Sequence, residues 1–344
     1  MNIIIVGMGG HAASSWLHRI NEHPEWNLVG IVDTDTEKLL HVEKWGVPED
    51  CAYPNIEAAV KWGDEKIDLA LITSPIPTHH VLATEAMELG LNVIVEKNMA
   101  LTIEQGQDLV KLARKNPELS TSLGTQYPFR PKWYTLREMF KSGKSPIGKL
   151  SLVRMRSSAY SGDMRTHWRA WLGDIFPDDM MVHHVSILRY ATAMEIIKVS
   201  AQVFRPAWST WLGSSTVLMN MVMAPPGKEI EKDEWINAQY YGDWQGTGLK
   251  SGWEDNYEFY GPRGSIRFEP SAVKQREAVW MDMWQVVDGI KLIGEPGINT
   301  LTAYINDEKR QKVEVRELET KKDIEGRVAQ IRRAIDDTTS DYDR

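Results

Sequence analysis

Over the first 125 residues, short apolar runs alternate with helix-like stretches, and this alternation constrains the fold more than any other feature. The runs are nearly continuous and rich in β-branched residues, which is typical of strands buried on both faces of a sheet. Several of the stretches between them end at glycine, the usual helix stop. Strands are predicted at residues 3–7, 28–33, 68–74, 92–96 and 120–125, and helices at 11–23, 36–46, 56–63, 77–90 and 102–116. We therefore predict a doubly wound parallel sheet of the α/β class.

The pattern changes near residue 145, where long strand-like segments become dominant. Strands are predicted at residues 150–160, 196–206, 215–224, 235–244, 256–270 and 311–318, and one helix at 180–192. A length of 344 residues also suits two domains better than one core. We predict a dinucleotide-binding Rossmann domain over residues 1–126. Residues 127–344 are predicted to form a substrate-binding and oligomerisation domain of the α+β type, with a large, mostly antiparallel open sheet.

The turn between the first strand and the first helix has the spacing G-x-G-x-x-A. Gly7 allows a tight turn, Gly9 lets the backbone approach a pyrophosphate, and Ala12 lets the helix pack closely on the strand. The amino terminus of the helix that follows favours an anion. The candidate cofactor contacts of this turn are Gly7, Met8, Gly9, Gly10, His11 and Ala12.

The second predicted strand ends at Asp33. A carboxylate at this place can accept hydrogen bonds from the adenosine ribose hydroxyls and would repel a 2′-phosphate. No Arg or Lys follows before Lys38. We therefore expect NAD(H) in preference to NADP(H). The alternative is that Asp33 or Asp35 only caps the helix that starts near Thr36.

A second group of polar residues follows the ends of later strands. In open parallel sheets, ligands bind beyond the carboxyl ends of the strands, where the strand order reverses. Because burying a charge is costly unless it is paired or used, an ammonium directly after the strand 92–96 needs an explanation. One explanation is a simple pair between Glu96 and Lys97. The residues expected on this rim with the glycines are Ser74, Pro75, Glu96, Lys97 and Gln126.

Asp179 and His183 are four residues apart in a predicted helix. Such residues share a helix face, and a carboxylate one turn before an imidazole can fix its tautomer and raise its basicity. Taken alone, this spacing is more typical of an ordinary pair on a helix surface. His184 points away and is expected to be packed or exposed.

Taken together, these motifs resemble the Gfo/Idh/MocA family of NAD(P)-dependent oxidoreductases, which includes glucose–fructose oxidoreductase and inositol dehydrogenase. The resemblance runs from residue 1 to at least residue 270. Three departures lie near the expected substrate side. Asn98 replaces the usual proline after Glu-Lys, and Ser186 replaces a usual aspartate. Residues 173–179 stand where the family often has a glycine triplet before the aspartate of the Asp–His pair. The residues that carry the resemblance are the glycine-rich turn, Ser74-Pro75 followed by His79, Glu96-Lys97, Asp179 and His183.

The resemblance implies roles for individual residues. Lys97 would hydrogen-bond the reacting oxygen and stabilise a developing alkoxide. His183 would remove the hydroxyl proton, and Asp179 would orient His183 or hold a neighbouring hydroxyl; Lys97 as the base is a further possibility. His79 would belong to the cofactor site. The candidates for substrate contacts are Lys97, Tyr127, Trp168, Arg169, Asp179 and His183, with Arg130 and Trp133 as additional ones.

The implied function is an NAD-dependent dehydrogenase or reductase for a secondary hydroxyl of a sugar, polyol or glycoside. One alternative keeps the site but returns the hydride after elimination, which makes a redox-assisted glycosidase. That reaction needs a second base, and Tyr160, His167 and His184 are candidates for it. The other alternative is a non-catalytic regulatory protein that binds the nucleotide, which the changed residue Asn98 and the altered segment 173–179 suggest.

Composition narrows the possible partners and the cellular location. The net charge is -8 and no basic block occurs, so a nucleic acid is not expected. No apolar run of membrane-spanning length and no signal peptide are recognisable, and the single cysteine, Cys51, excludes an internal disulfide and fits a cytoplasmic protein. No metal site is predicted. An open sheet needs its outer face covered, so we expect a homodimer or homotetramer.

Overall fold

The computed structural model describes residues 1–162, 165, 168–171, 173–227, 234–246, 251, 256–268, 301–305 and 310–313. Contacts within the chain group these residues into two compact units, one from Met1 to Thr125 and one that begins at Gln126. Each unit contains one β-sheet with hydrophobic core packed against it, as is usual for a domain.

The sheet of the first unit has six strands, all parallel. They are β1 (Asn2–Val6), β2 (Asn27–Val32), β3 (Ala52–Tyr53), β4 (Leu69–Ile72), β5 (Asn92–Glu96) and β6 (Thr121–Gly124). Their order is β3-β2-β1-β4-β5-β6, so the order reverses between β1 and β4. The predicted doubly wound parallel sheet is confirmed. In such sheets, ligands bind beyond the carboxyl ends of the strands at the point of reversal.

Both faces of this sheet are buried. Ile4 and Val6 of β1 belong to one core, and Ile3 and Ile5 belong to the other. Because successive side chains of a strand point to opposite faces, only a nearly continuous apolar run can fill both cores. The helices that connect the strands are α1 (His18–Glu22), α2 (Thr36–Leu39), α3 (Ile56–Trp62), α4 (His79–Glu88) and α5 (Ile103–Lys115).

Three details of the first unit differ from the sequence-based prediction. A wide π-helical turn, Ala12–Leu17, precedes α1. The sequence does not predict β3, because a strand of two residues is too short to show a periodic pattern. The single helix expected at residues 36–46 is divided into α2 and a 3-10 turn, Val42–Trp45, which ends at the left-handed residue Gly46.

The sheet of the second unit has eight strands in the order β14-β13-β12-β11-β7-β10-β9-β8. Only the pair β7 and β10 is parallel, so the predicted, mostly antiparallel sheet is confirmed. The strands are β7 (Leu152–Ser158), β8 (Glu195–Phe204), β9 (Thr216–Ala224), β10 (Ile236–Asp243), β11 (Tyr257–Gly261), β12 (Gly264–Phe268), β13 (Leu301–Ile305) and β14 (Arg310–Val313).

Two helices contribute to the core of the second unit, α6 (Pro131–Lys141) and α7 (Val182–Thr192). A π-helical turn, Phe176–Met181, leads into α7. On β9, buried Met219 alternates with exposed Leu218, so one face of the strand packs in the core and the other does not. Among the described residues, β9 is therefore packed in the core on one face and partly exposed on the other.

Several elements of the second unit depart from the sequence-based prediction. The single strand predicted over residues 256–270 is a hairpin of β11 and β12, because the chain reverses at Pro262 and Arg263. The sequence also does not predict α6, although Pro131 at its first position is a typical start signal. The strand predicted over 311–318 is described only up to Val313, within β14. β13 has no counterpart in the prediction.

Candidate functional site

Gly7 occupies a conformation that only glycine adopts easily. Its φ is +91°, and a Cβ atom there would lie 2.7 Å from the backbone nitrogen of Ser74. A Cβ on Gly9, in contrast, would meet no atom within 4 Å. The turn is therefore tight against β4 at Gly7 and open at Gly9, as the approach of a pyrophosphate to the backbone requires.

Hydrogen bonds hold the glycine-rich turn to the ends of β2 and β4. The N–H of Gly7 donates to the carbonyl of Val32 at 2.7 Å. The N–H of Met8 donates to Asp33 Oδ2 at 2.8 Å, and the Met8 side chain is buried in the core. Thr73 Oγ1 donates to the carbonyl of Gly7 at 2.7 Å. Thr73 is not among the site residues predicted from the sequence, although its position directly before Ser74 at a strand end could have indicated this contact.

Asp33 is buried, with only 8% of its surface exposed. Its carboxylate also accepts from the N–H of Asp35 at 2.9 Å and from Lys38 Nζ at 3.1 Å. Asp35, not Asp33, caps α2 by accepting from the N–H of Glu37 at 3.1 Å. Asp33 is thus held beside the glycine-rich turn, where a ribose acceptor is expected, and Lys38 offsets part of its charge.

Glu96, the last residue of β5, is 5% exposed. Its Oε1 accepts from Trp16 Nε1 at 2.5 Å and lies 3.0 Å from His11 Nε2. Its Oε2 accepts from the N–H of Lys97 at 3.2 Å. The Glu96 carboxylate therefore connects the residue that follows β5 to His11 in the glycine-rich turn and to Trp16 in the π-helical turn before α1. Trp16 is a further residue that sequence reasoning misses, because its contact spans 80 positions.

His79 is 1% exposed, and both of its ring nitrogens face backbone carbonyls. Nδ1 lies 2.6 Å from the carbonyl oxygen of Asn98, and Nε2 lies 2.8 Å from that of Ser74. Burial lowers the pKa of His79 below its ordinary value, although both carbonyls and the charge of Glu96 oppose this. The ring thus connects the segment after β4 to the segment after β5.

The predicted rim residues of the first unit follow the ends of β1, β4 and β5. Ser74 directly follows Thr73 and bonds Thr78 through its hydroxyl at 2.7 Å, while Pro75 is exposed. Lys97 follows β5 and is partly exposed. Gln126 falls in the second unit, where it precedes the 3-10 turn Tyr127–Phe129.

In the second unit, Tyr127 connects His183 with Arg130. The rings of Tyr127 and His183 meet edge to face, with 4.7 Å between their centroids. The guanidinium carbon of Arg130 lies 4.6 Å from the centroid of Tyr127. His183, near the start of α7, is 7% exposed. An imidazole, an aromatic ring and a guanidinium therefore stand side by side.

Asp179 is 4% exposed and lies in the π-helical turn before α7. Its Oδ2 accepts from Arg169 Nε at 3.0 Å. The guanidinium predicted to face a substrate thus also holds the carboxylate predicted to act with His183. Trp168 belongs to the same 3-10 turn as Arg169, and its side chain lies outside the described part, as does His167.

Two of the additional candidates pack in the core of the second unit. His184 is 1% exposed, and its Nδ1 lies 2.6 Å from the hydroxyl of Tyr240. Trp133 is fully buried and meets Tyr257 edge to face at 4.8 Å. Tyr160 is 37% exposed, so among the second-base candidates described here it is the accessible one.

Neither a membrane-spanning helix nor a metal-binding cluster occurs in the part of the chain that the structure describes. None of the helices there combines the length and the apolar character that a membrane span requires. No three His, Cys, Asp or Glu side chains within those residues are grouped so that they could hold a metal ion.

Several curated proteins similar to this chain are named as oxidoreductases or dehydrogenases. An inositol 2-dehydrogenase from Corynebacterium glutamicum (strain R) is 20% identical over 242 residues, which are 70% of this chain and 68% of that protein. The protein named "Uncharacterized protein y4oX" from Sinorhizobium fredii is 22% identical over 223 residues, 63% of this chain. This chain spans 60% of the length of the Sinorhizobium protein, and 46% of that of a relative from Salmonella typhimurium.

A solved structure with the same fold is an inositol dehydrogenase homolog from Azotobacter vinelandii, complexed with NADH and myo-inositol. The TM-score is 0.75 at 15% identity, and the match covers 97% of this chain and 85% of that one. At this identity the likeness shows the fold alone.

The first part of the chain also matches a sequence family. Residues 1–123 match the family described as "Oxidoreductase family, NAD-binding Rossmann fold". The matched range ends within β6 of the six-stranded sheet and includes both the glycine-rich turn and Lys97. The resemblance drawn from the motifs is therefore confirmed over residues 1–123, which match the NAD-binding Rossmann domain of the Gfo/Idh/MocA oxidoreductase family.

Proposed function

We propose that this protein is an NAD-dependent oxidoreductase that acts on a secondary hydroxyl of a sugar, polyol or glycoside. The observation that carries the proposal is the arrangement of the first unit. An open glycine turn, the buried acceptor Asp33 and the strand-end residue Lys97 follow β1, β2 and β5 of one parallel sheet. This is the edge at which such sheets bind dinucleotides.

The residues present fit a dinucleotide. The turn from Gly7 to Ala12 would hold the pyrophosphate, with the Cβ-free side of Gly9 open toward it. Asp33 would accept hydrogen bonds from the ribose, which favours NAD(H) over NADP(H). The remaining candidate contacts of the cofactor are Ser74, Pro75, Glu96, Lys97 and Gln126. When bound, a nicotinamide ring supplies a hydride acceptor or donor.

The chemistry at the substrate is assigned to three side chains. Lys97 donates a hydrogen bond to the reacting oxygen and stabilises its developing negative charge. His183 takes the hydroxyl proton as the general base, and the carbinol carbon gives up a hydride in the same step. Asp179 orients His183, and Arg169 holds Asp179 in place at 3.0 Å.

Carbohydrates and polyols are the substrate class that the second unit and the relatives favour. Tyr127 offers a ring face, and Arg169 offers a guanidinium that can bind vicinal hydroxyls; Trp168 is proposed as a second stacking ring. Relatives named as inositol 2-dehydrogenases, and a same-fold structure that holds myo-inositol, support a cyclic polyol as the first compound to test.

The deciding experiment incubates the protein with NAD+ and a panel of inositols, monosaccharides, uronates and aryl glycosides, and follows absorbance at 340 nm. NADH formed with one class, and lost in Lys97→Ala and His183→Ala, supports the proposal. Lys115→Ala, an exposed lysine at the end of α5, is the matched control. Aglycone release without net NADH would identify the redox-assisted glycosidase instead. NAD+ binding with no turnover of any compound would favour a regulatory protein.

We also propose that the chain forms a homodimer or homotetramer through the sheet of the second unit. β8 is an edge strand of ten residues, and most of it is exposed. Val199 is 57% exposed and Phe204 41%. Long exposed apolar edges are usually covered by another chain. Light scattering tests the proposal, and a monomer mass at micromolar concentration would contradict it.

A further inference from the structure

His79 is a buried imidazole that touches two strand-end segments at once. It starts α4, and its two nitrogens face the carbonyls of Ser74 and Asn98. Ser74 is the residue against which Gly7 is pressed, because a Cβ on Gly7 would lie 2.6 Å from Ser74 Cα. A single ring therefore connects the support of the glycine-rich turn with the residue that follows Lys97.

Lys97 is anchored through the backbone on both sides. On its amino side, its own N–H donates to Glu96 Oε2 at 3.2 Å. On its carboxyl side, the carbonyl of Asn98 lies 2.6 Å from His79 Nδ1. Glu96 is in turn fixed by Trp16 at 2.5 Å. The side chain of Lys97 thus starts from a backbone segment that two buried polar groups hold.

We propose that His79 is a positioning residue that sets the place of Lys97 by donating Nδ1–H to the carbonyl of Asn98. This inference rests on the proposed function for the catalytic role of Lys97. A buried side chain whose two nitrogens are both used on backbone carbonyls serves the scaffold of the site, so His79 acts on the reaction only through Lys97. The sequence motifs place His79 in the cofactor site, whereas both nitrogens of the buried ring face backbone carbonyls.

The protonation state of the His79 ring determines how many of the two carbonyls it can donate to. A neutral ring has one N–H, so it donates to one of the two carbonyls, whereas an imidazolium donates to both. The proposal places the proton on Nδ1, which makes the shorter of the two contacts, at 2.6 Å against 2.8 Å. The charged side chains that influence the ring are Glu96 and Lys97, which act in opposite directions. Burial keeps the ring neutral at pH 7.

Two amide substitutions separate the two contacts. The amide nitrogen of an Asn occupies about the place of Nδ1, and that of a Gln about the place of Nε2. His79→Asn can therefore keep the donor to Asn98, and His79→Gln the donor to Ser74. His79→Ala removes both. His80→Gln, at the adjacent position of α4, is the matched control.

The first readout is hydrogen exchange of the backbone amides at positions 97 to 101, measured by mass spectrometry on the full chain. His79→Ala and His79→Gln should speed exchange in this segment by about tenfold, because an opening that costs about 1.4 kcal/mol less is ten times more populated. His79→Asn and His80→Gln should leave it near the wild-type rate. Equal exchange in His79→Asn and His79→Gln would overturn the assignment of Nδ1.

The second readout is turnover with the substrate that the panel identifies. His79→Ala and His79→Gln should lower kcat by about tenfold to a hundredfold with little change in NAD+ affinity, because a small misplacement of a catalytic group costs that much. His79→Asn should restore most of kcat. A change confined to NAD+ affinity would mean that His79 belongs to the cofactor site itself. If exchange responds as expected but wild type turns over nothing, the positioning stands and the proposed function fails.

Discussion

Trp16 Nε1 donates a hydrogen bond of 2.5 Å to Glu96 Oε1, although the two residues are 80 positions apart. Trp16 is fully buried and Glu96 is 5% exposed. His11 shares the same carboxylate oxygen at 3.0 Å. The end of β5, from which Lys97 continues, is therefore fastened to the helix that begins at the glycine-rich turn. The buried Glu96 carboxylate therefore stabilises the edge of the sheet at which the cofactor is proposed to bind.

Replacing Glu96 by Gln should lower the free energy of unfolding by about 1–3 kcal/mol, because a buried donor loses an ionised acceptor. Trp16→Phe should also destabilise. Since Glu96→Gln removes the charge from the hydrogen bond that Trp16→Phe removes entirely, the double variant should lose less than the sum, with a coupling of about 1 kcal/mol. Urea unfolding of the four proteins measures this coupling. Additive losses would show that the bond contributes little.

The buried ion pair between Arg169 and Asp179 should contribute more to the free energy of unfolding than an exposed ion pair in the same unit. The side chain of Asp179 is 6% exposed, so Arg169→Met should cost about 3–5 kcal/mol by leaving a buried carboxylate short of its cation. Arg189 and Glu195, 2.7 Å apart and about half exposed, form the control pair. Arg189→Met should cost at most about 1 kcal/mol. Thermal unfolding compares the two, and equal losses would contradict the prediction.

The fold of the first unit could be predicted because burial on both faces leaves a strong mark. Ile3 to Val6 form a continuous apolar run only because each neighbour fills a different core. The carboxyl-end rule then places Lys97 on the same edge as the glycines. In the second unit, the hairpin of β11 and β12 reads as one segment, because Pro262 and Arg263 interrupt the strands only briefly.

The internal contacts of the candidate site could not be predicted in the same way. Glu96 and His79 carry the residue types expected of cofactor ligands, and sequence spacing alone gives no view of their partners. Their bonds to Trp16 and to the carbonyl of Asn98 depend on how distant segments meet in the folded chain. The sequence predicts which side chains lie at a strand end. Whether such a side chain faces a ligand or the interior depends on the packing of the folded chain.

The stability of the protein should depend on pH through His79. Burial lowers the pKa of His79 in the folded state below the ordinary value of 6.5. As pH falls below about 6.5, the unfolded chain takes up a proton that the folded chain does not, so stability falls by up to about 1.4 kcal/mol per pH unit until the folded pKa is reached. Urea unfolding between pH 5 and 8 should show a smaller decline in His79→Asn than in wild type. The same decline in both would contradict the shift.

Discrimination between the two dinucleotides should depend on the charge of Asp33. Asp33→Asn should weaken NAD+ binding about tenfold, because charge-assisted hydrogen bonds to the ribose are lost. The same change should improve NADP+ relative to NAD+, since Lys38 would lose its nearer carboxylate, at 3.1 Å, and keep only Asp35 at 3.8 Å as a competitor of a 2′-phosphate. Titrations that follow tryptophan fluorescence give both affinities, with exposed Glu37→Gln as the control. An equal loss for both dinucleotides would contradict the prediction.

Gly7 and Gly9 offer a matched pair in which stability and binding separate. An Ala at position 7 would need φ near +91° and would place its Cβ within 3 Å of the Ser74 backbone, so Gly7→Ala should cost about 2–4 kcal/mol. Gly9→Ala meets no atom within 4 Å and should change stability by less than about 0.5 kcal/mol.

Gly9→Ala, which should leave stability unchanged, should weaken the binding of the dinucleotide. The Cβ of Gly9→Ala would occupy the open side of the turn, which the pyrophosphate must approach, so NAD+ affinity should fall at least about tenfold in a normally folded protein. Unfolding curves and NAD+ titrations on the same preparations test both statements. A Gly9→Ala variant that binds NAD+ as wild type does would mean that the pyrophosphate does not pass over this turn, and the proposed cofactor site would then be wrong.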